Sequence, residues 1–151
     1  MSALFAYIHS VSMIALGALL VMQLLGLGEI DDRQRLQRFF VLCIGIAVAA
    51  AVMLLSGIAL LLWPAQAPEF YLRNPVFYIK LALFSAMILV AITPARLIVQ
   101  WHRRAVQGEG PDAAEIVFVW RYFAAEAVLF LLIPLAAVIS GQGIGLQVSP
   151  S

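Results

Sequence analysis

Charged residues are scarce in this chain. Of its 151 residues 11% are charged and 64% are hydrophobic, whereas soluble domains average about 25% charged and about 45–50% apolar residues. A soluble fold of this composition could not cover its surface with polar groups, so the sequence predicts a protein dissolved in the lipid bilayer. The net charge of +1 gives no basis for nucleic-acid binding.

Cysteine, histidine and lysine are also rare, which removes further classes of site. Cys43 is the single cysteine, so an internal disulfide and every metal site built from several cysteines are excluded. The two histidines are His9 and His102, and Lys80 is the only lysine. The sequence has no HExxH motif, no Walker loop and no nucleophile elbow, so no motif identifies it as an enzyme. The opening residues lack the basic segment of a cleaved signal peptide, and we interpret the first apolar run as a retained helix.

Four long apolar runs occupy most of the chain. Each is long enough to cross ~30 Å of hydrocarbon at ~1.5 Å per residue. We predict helices near residues 3–27, 38–63, 76–93 and 115–140. Together with their connections they use all of residues 1–151, so the sequence predicts a single all-α domain, an integral membrane four-helix bundle.

Local signals predict where the helices begin and end. Asn74–Pro75 combines a capping residue with a proline that suits the first turn of the third helix. Asp112 and Glu115 have capping-box spacing ahead of the fourth helix. Thr93–Pro94 is expected to end or kink the third helix, and a short interfacial helix around Trp101 is expected to follow.

The arginines predict the orientation in the membrane. The second connection, residues 64–75, contains a single arginine, Arg73. The first and third connections carry six arginines: Arg33, Arg35, Arg38, Arg96, Arg103 and Arg104. Positive residues favour the cytoplasmic side, so these two connections are predicted to face the cytoplasm and both termini the outside.

Small residues in the second helix indicate close packing. Gly45, Ala49, Ser56 and Gly57 have spacings near four and seven, which would let a neighbouring backbone approach. The alternative is that membrane helices are simply rich in glycine and alanine.

Insertion of an ionisable side chain such as Lys, Arg or Asp at the centre of a span costs roughly 2.5–3.5 kcal/mol of free energy on insertion scales. Ionisable residues inside the spans are therefore candidates for function. They are His9, Lys80, Arg121 and Glu126, with Gln23 as a neutral companion. His9 could ligate haem iron or relay protons, or it could be an interfacial residue bonded to a backbone carbonyl or a head group. Lys80 could hold the carboxylate of a bound anion, or extend to the head groups.

The fourth helix contributes the other two candidates. Arg121 is expected to extend to water near the cytoplasmic surface. Glu126 is about 11 residues into the predicted helix, too deep to reach water, and needs a partner from another helix, such as Lys80, or a ligand. His102 lies across the membrane from His9, so the two cannot ligate one iron within one subunit.

Methionines are the remaining candidates for a second axial ligand to an iron at His9. Met53 and Met87 lie deep in their helices, although methionine there is far more often a packing residue.

Three segments resemble a known family. Residues 4–9 read LFAYIH, residues 71–84 read YLRNPVFYIKLALF, and residues 121–126 read RYFAAE. They resemble a family of small bacterial membrane proteins that carries only a label, domain of unknown function 2214. The resemblance covers nearly the whole chain and implies a multi-pass protein of the bacterial inner (cytoplasmic) membrane.

More distantly, the layout resembles the HemJ type of protoporphyrinogen oxidase, a four-helix membrane protein with haem b. His9, Lys80, Arg121 and Glu126 fall on its pattern, which implies haem b on His9 and a porphyrin pocket lined by Lys80 and Glu126. The chain departs from that family because residues 29–38 and 92–94, where HemJ-type proteins carry further histidines, contain none.

Two classes of function remain open at this point. One is a haem b or tetrapyrrole-binding redox protein, with a tetrapyrrole or a quinone-like molecule as its ligand. The other is a non-catalytic accessory or assembly subunit of a larger membrane complex or homo-oligomer, and a small transporter component is a further alternative. The colour of the purified protein discriminates between the first two.

Overall fold

Four long α-helices account for most of the chain in a computed structural model that describes residues 2–30, 33–63 and 75–141. The helices are α1 (Ser2–Gly26), α2 (Arg33–Leu62), α3 (Pro75–Ala105) and α4 (Ala113–Gly141). A short 3-10 turn, Leu27–Glu29, follows α1. Each of the four helices is long and apolar enough to cross a membrane. The predicted all-α membrane bundle is therefore confirmed.

Two helix boundaries differ from the predictions. α2 begins at Arg33 rather than near residue 38, because its first turns, rich in arginine and glutamine, extend the helix beyond the apolar run. α3 continues through Pro94 to Ala105, so the predicted end at residues 93–94 and the separate interfacial helix are wrong. Pro94 is buried, and neighbouring helices in a bundle can accommodate the backbone groups that a proline frees.

Several predicted features lie outside the described residues. They are the connection over residues 64–74, which contains Asn74 and Arg73, and the tail over residues 142–151. Pro75 is the first residue of α3, the position where a missing backbone N–H costs no hydrogen bond.

The helices pair as two hairpins with a cleft between them. α1 packs along α2 and α3 packs along α4, whereas α2 and α3 touch at few places. Two glycines of α2 lie against side chains of α1: a Cβ on Gly57 would lie 3.4 Å from His9 Cε1, and one on Gly45 would lie 3.9 Å from Leu19 Cδ1. These are ordinary contact distances, so the close backbone approach stays a prediction. Close packing within each hairpin leaves the space between α2 and α3 as the place where a molecule could enter.

The bundle is apolar inside and outside. One buried cluster lies at the end of the bundle that carries the six arginines, here called the arginine end, and includes Leu36, Trp101 and Phe123. A second lies near the middle and includes Leu16 and Phe84. Leucine, isoleucine and valine side chains are exposed on all four helices. Exposed apolar surface on every helix suits contact with lipid.

A capping box joins α3 to α4. Asp112 Oδ1 accepts a 2.7 Å hydrogen bond from the Glu115 backbone N–H, and Glu115 Oε2 accepts a 3.2 Å bond from the Asp112 N–H. This is the reciprocal pairing predicted from the sequence. Glu115 also accepts two 2.7 Å hydrogen bonds from Arg104 Nη2, which ties the end of α3 to the start of α4.

Replacing Asp112 with alanine is expected to lower the melting temperature of the detergent-solubilised protein. Loss of a helix cap typically costs about 1 kcal/mol of stability. Glu109→Ala is the control, because Glu109 is an exposed acidic residue of the same connection and lies outside the capping box. Equal melting temperatures for the two variants would show that the cap does not stabilise α4.

Orientation is tested by labelling single cysteines in a Cys43→Ala background. We expect Ser2→Cys and Ser151→Cys to react with an impermeant maleimide added outside intact cells. Gln107→Cys, in the arginine-rich third connection, should react only after the inner face is opened. The opposite labelling pattern would reverse the orientation.

Candidate functional site

The cleft between α2 and α3 contains two cavities. The first, of about 640 Å³, lies toward the end where α1 begins and is lined by His9 and Lys80; we call it the histidine cavity. The second, of about 410 Å³, lies toward the arginine end and is lined by Gln23, Cys43 and Glu126; we call it the glutamate cavity. Both volumes fall in the range of about 300–1,000 Å³ that is usual for small-molecule sites.

His9 is held by the backbone and a hydroxyl group of α2. Its Nδ1 lies 3.0 Å from the Met53 carbonyl oxygen and 3.2 Å from Ser56 Oγ. Ser56 Oγ itself donates a 3.0 Å hydrogen bond to the same carbonyl oxygen. Gly57 lies beside the ring, and a Cβ there would be in ordinary van der Waals contact with His9 Cε1, at 3.4 Å.

The partner of Nδ1 sets the chemistry of the other ring nitrogen. A carbonyl oxygen only accepts hydrogen bonds, so Nδ1 must be the protonated nitrogen in the bond to Met53. In a neutral imidazole Nε2 then keeps a free lone pair. Metal-binding histidines are commonly oriented in this way, by donation from the second nitrogen to a backbone carbonyl. The same hydrogen bond is equally consistent with the alternative interpretation, in which His9 is an interfacial histidine bonded to a backbone carbonyl.

Lys80 lines the same cavity from the opposite hairpin. It is half-buried on α3, and Phe77 and Phe84, at i−3 and i+4, line the cavity on the same face of the helix. The other lining residues are almost all aliphatic. The cavity therefore combines one imidazole, one cation and two aromatic rings within an apolar wall.

Glu126 lies apart from these groups. It lines the glutamate cavity, where it is 3% exposed, and its Oε1 has no hydrogen-bond partner among the described residues. The suggested pairing with Lys80 is therefore not formed, because Lys80 lines the histidine cavity and Glu126 lines the glutamate cavity. The four candidate residues do not form one pocket.

Arg121 and His102 line neither cavity. Arg121 is exposed on α4. His102 stacks on Phe40, with ring centroids 4.5 Å apart. Phe40 precedes Met53, the partner of His9, by thirteen residues of α2, which is about 20 Å along the helix axis. His9 and His102 are thus too far apart to share an iron within one subunit.

Two parts of the site were missed in the sequence. Ser56 and Gly57 were identified only as small packing residues, although together they position His9. Cys43 was treated only as a lone cysteine, but it lines the glutamate cavity and lies 3.8 Å from Gln23 Nε2. The sequence does contain a signal for the first of these. Ser56 is followed directly by Gly57, and the pair lies at the level of His9 in the preceding antiparallel helix.

A metal site made of several side chains is not present in the described part of the chain. No group of three His, Cys, Asp or Glu residues there could hold an ion.

Comparison with known proteins gives a family and no characterised relative. No curated protein and no solved structure matches the chain. The model of one family, described as a predicted membrane protein (DUF2214), matches residues 1–145. Since this match covers nearly all of the sequence, the chain belongs to that family of integral membrane proteins.

Proposed function

We propose that this protein binds haem b or a related tetrapyrrole within the bacterial inner membrane, in the histidine cavity, with His9 as an axial ligand. The observation that supports the proposal most is the hydrogen bond from Nδ1 to the Met53 carbonyl oxygen. It orients the ring and leaves Nε2 as the nitrogen that can bind iron.

The cavity suits a flat, apolar ligand that ends in carboxylates. Its wall is apolar, its volume is about 640 Å³, and Phe77 and Phe84 add aromatic surface. Lys80 can donate a charge-assisted hydrogen bond to a propionate. The cavity opens between α2 and α3, where its lining residues Leu54, Leu61 and Leu81 are exposed, so an apolar molecule could enter from the lipid.

The protein residues would bind and orient this ligand rather than perform acid–base chemistry. Bound haem supplies one-electron redox chemistry. His9 would hold the iron, Lys80 would hold a propionate, and the aliphatic wall would keep water away. Glu126 and Arg121 do not line this cavity, so the ligand set supported by the geometry is reduced to His9 and Lys80.

The first test is the absorption spectrum of the protein purified in detergent from haem-replete cells. We expect a Soret band in the wild type, its loss in His9→Ala and its retention in His102→Ala. His102 is the matched control, because it is the other histidine and packs on Phe40 away from the cavity. Identical spectra for the wild type and His9→Ala, or no haem in any of the three proteins, would contradict the assignment and favour a non-catalytic accessory subunit.

The second test addresses Lys80. Lys80→Ala is expected to reduce the binding free energy of haem by up to that of one charge-assisted hydrogen bond, roughly 1.5–3 kcal/mol before solvent screening. Lys80→Arg keeps the cation and should retain most of the affinity. Titration of the haem-free variants with haemin measures the difference. Equal affinities for the wild type and Lys80→Ala would place the propionates elsewhere.

A further inference from the structure

The glutamate cavity contains buried polar atoms that the described residues do not satisfy. Glu126 is 3% and Gln23 is 4% exposed. The Oε1 atom of each lacks a hydrogen-bond partner among the described residues. Gln23 uses its Nε2 for a weak 3.8 Å bond to Cys43 Sγ, so its carbonyl oxygen remains free.

Two such atoms beside one cavity point to a ligand. Buried polar groups in proteins are nearly always hydrogen-bonded, and the hydrocarbon of the bilayer supplies no water to replace a missing partner. Gln23 and Glu126 come from different helices, α1 and α4, and both line the same 410 Å³ space. A molecule in that space could satisfy both.

The mouth of the cavity indicates how such a molecule would arrive. The lining residues that are also exposed belong to α2 and α3: Ala47, Ala51, Leu54, Ile88, Ile92 and Ala95. All six are apolar and lie on helices that cross the membrane. Entry is therefore sideways from the lipid, which requires a ligand that is mostly apolar.

The two orphan groups define the polar end of the ligand. The Gln23 carbonyl oxygen accepts hydrogen bonds, whereas a carboxyl group can either donate or accept, depending on whether it carries a proton. A ligand carboxylate is disfavoured, because it would face an acceptor on one side and an acid on the other. A hydroxyl group on a ring fits both partners, because it donates to the Gln23 carbonyl oxygen and either donates to or accepts from the Glu126 carboxyl group.

We propose that the glutamate cavity binds the head group of a lipid-soluble quinol, with Gln23 and Glu126 as its hydrogen-bonding partners. The small alanine side chains that line it from α2 and α3 leave about 410 Å³ for the ring. The hydrocarbon tail extends through the mouth into the bilayer. The site is distinct from the histidine cavity, which it adjoins at Leu54, and does not depend on haem binding there.

The proposal is tested by anaerobic calorimetric titration of the detergent-solubilised protein with ubiquinol-1, a quinol with a single isoprenoid unit. Saturable binding at one site per chain is expected. Gln23→Leu and Glu126→Leu should each raise the Kd by about tenfold, which corresponds to the loss of one hydrogen bond. Ser12→Ala is the control: Ser12 is also a buried polar residue, but it bonds to the Ile8 carbonyl oxygen and lines neither cavity.

A variant that fills part of the cavity tests the same site if either leucine variant fails to fold. Ala95→Leu places a larger side chain in the lining and should abolish binding, whereas Ala82→Leu alters an exposed alanine of α3 outside both cavities and should not. His9→Ala should bind ubiquinol-1 normally, which separates this proposal from the haem site. Absence of saturable binding to the wild type, or equal effects of Ala95→Leu and Ala82→Leu, would overturn the proposal.

Discussion

Hydrocarbon contains no water, and this constraint governs the whole molecule. Backbone polar groups are satisfied within the helices, and each polar side chain in a span must find a partner inside the bundle or face a cavity. Ser12 bonds to the carbonyl of the preceding turn of its own helix, and His9 bonds across to α2. Gln23 and Glu126 each have a side-chain oxygen beside a cavity that bonds to none of the residues the structure describes. The positions of these few groups identify where binding can occur.

Helix packing explains why the cavities lie between α2 and α3. α1 packs along α2, and the Arg104–Glu115 ion pair, with N and O atoms 2.7 Å apart, ties α3 to α4 at the arginine end. α2 and α3 touch at few places, one of which is the stacking of His102 on Phe40, and the surfaces that line the glutamate cavity carry many alanines. The two hairpins are therefore tight units, and the weakly packed seam between them supplies both the binding space and its access from lipid.

Much of this architecture could be predicted from the sequence because the relevant physics is local. Apolar runs with few or no charges predicted the four spans, and Asp112 with Glu115 predicted the start of α4. The continuation of α3 through Pro94 could not be predicted, since the cost of a proline depends on the neighbours that surround the freed backbone groups. The HemJ resemblance implies one pocket for His9, Lys80 and Glu126, and of these His9 and Lys80 line one cavity. Depth along a helix carried no information on which cavity Glu126 faces, because that depends on how the hairpins dock.

The central claim is that the α2–α3 cleft holds lipophilic ligands at its polar groups. Native mass spectrometry of the protein released gently from detergent, after expression in cells that contain haem and quinol, tests it most directly. The expected spectrum shows the chain with bound non-protein masses, and these dissociate as haem and as a quinol on activation. A spectrum of the bare chain alone, or of the chain with phospholipid only, would contradict the claim.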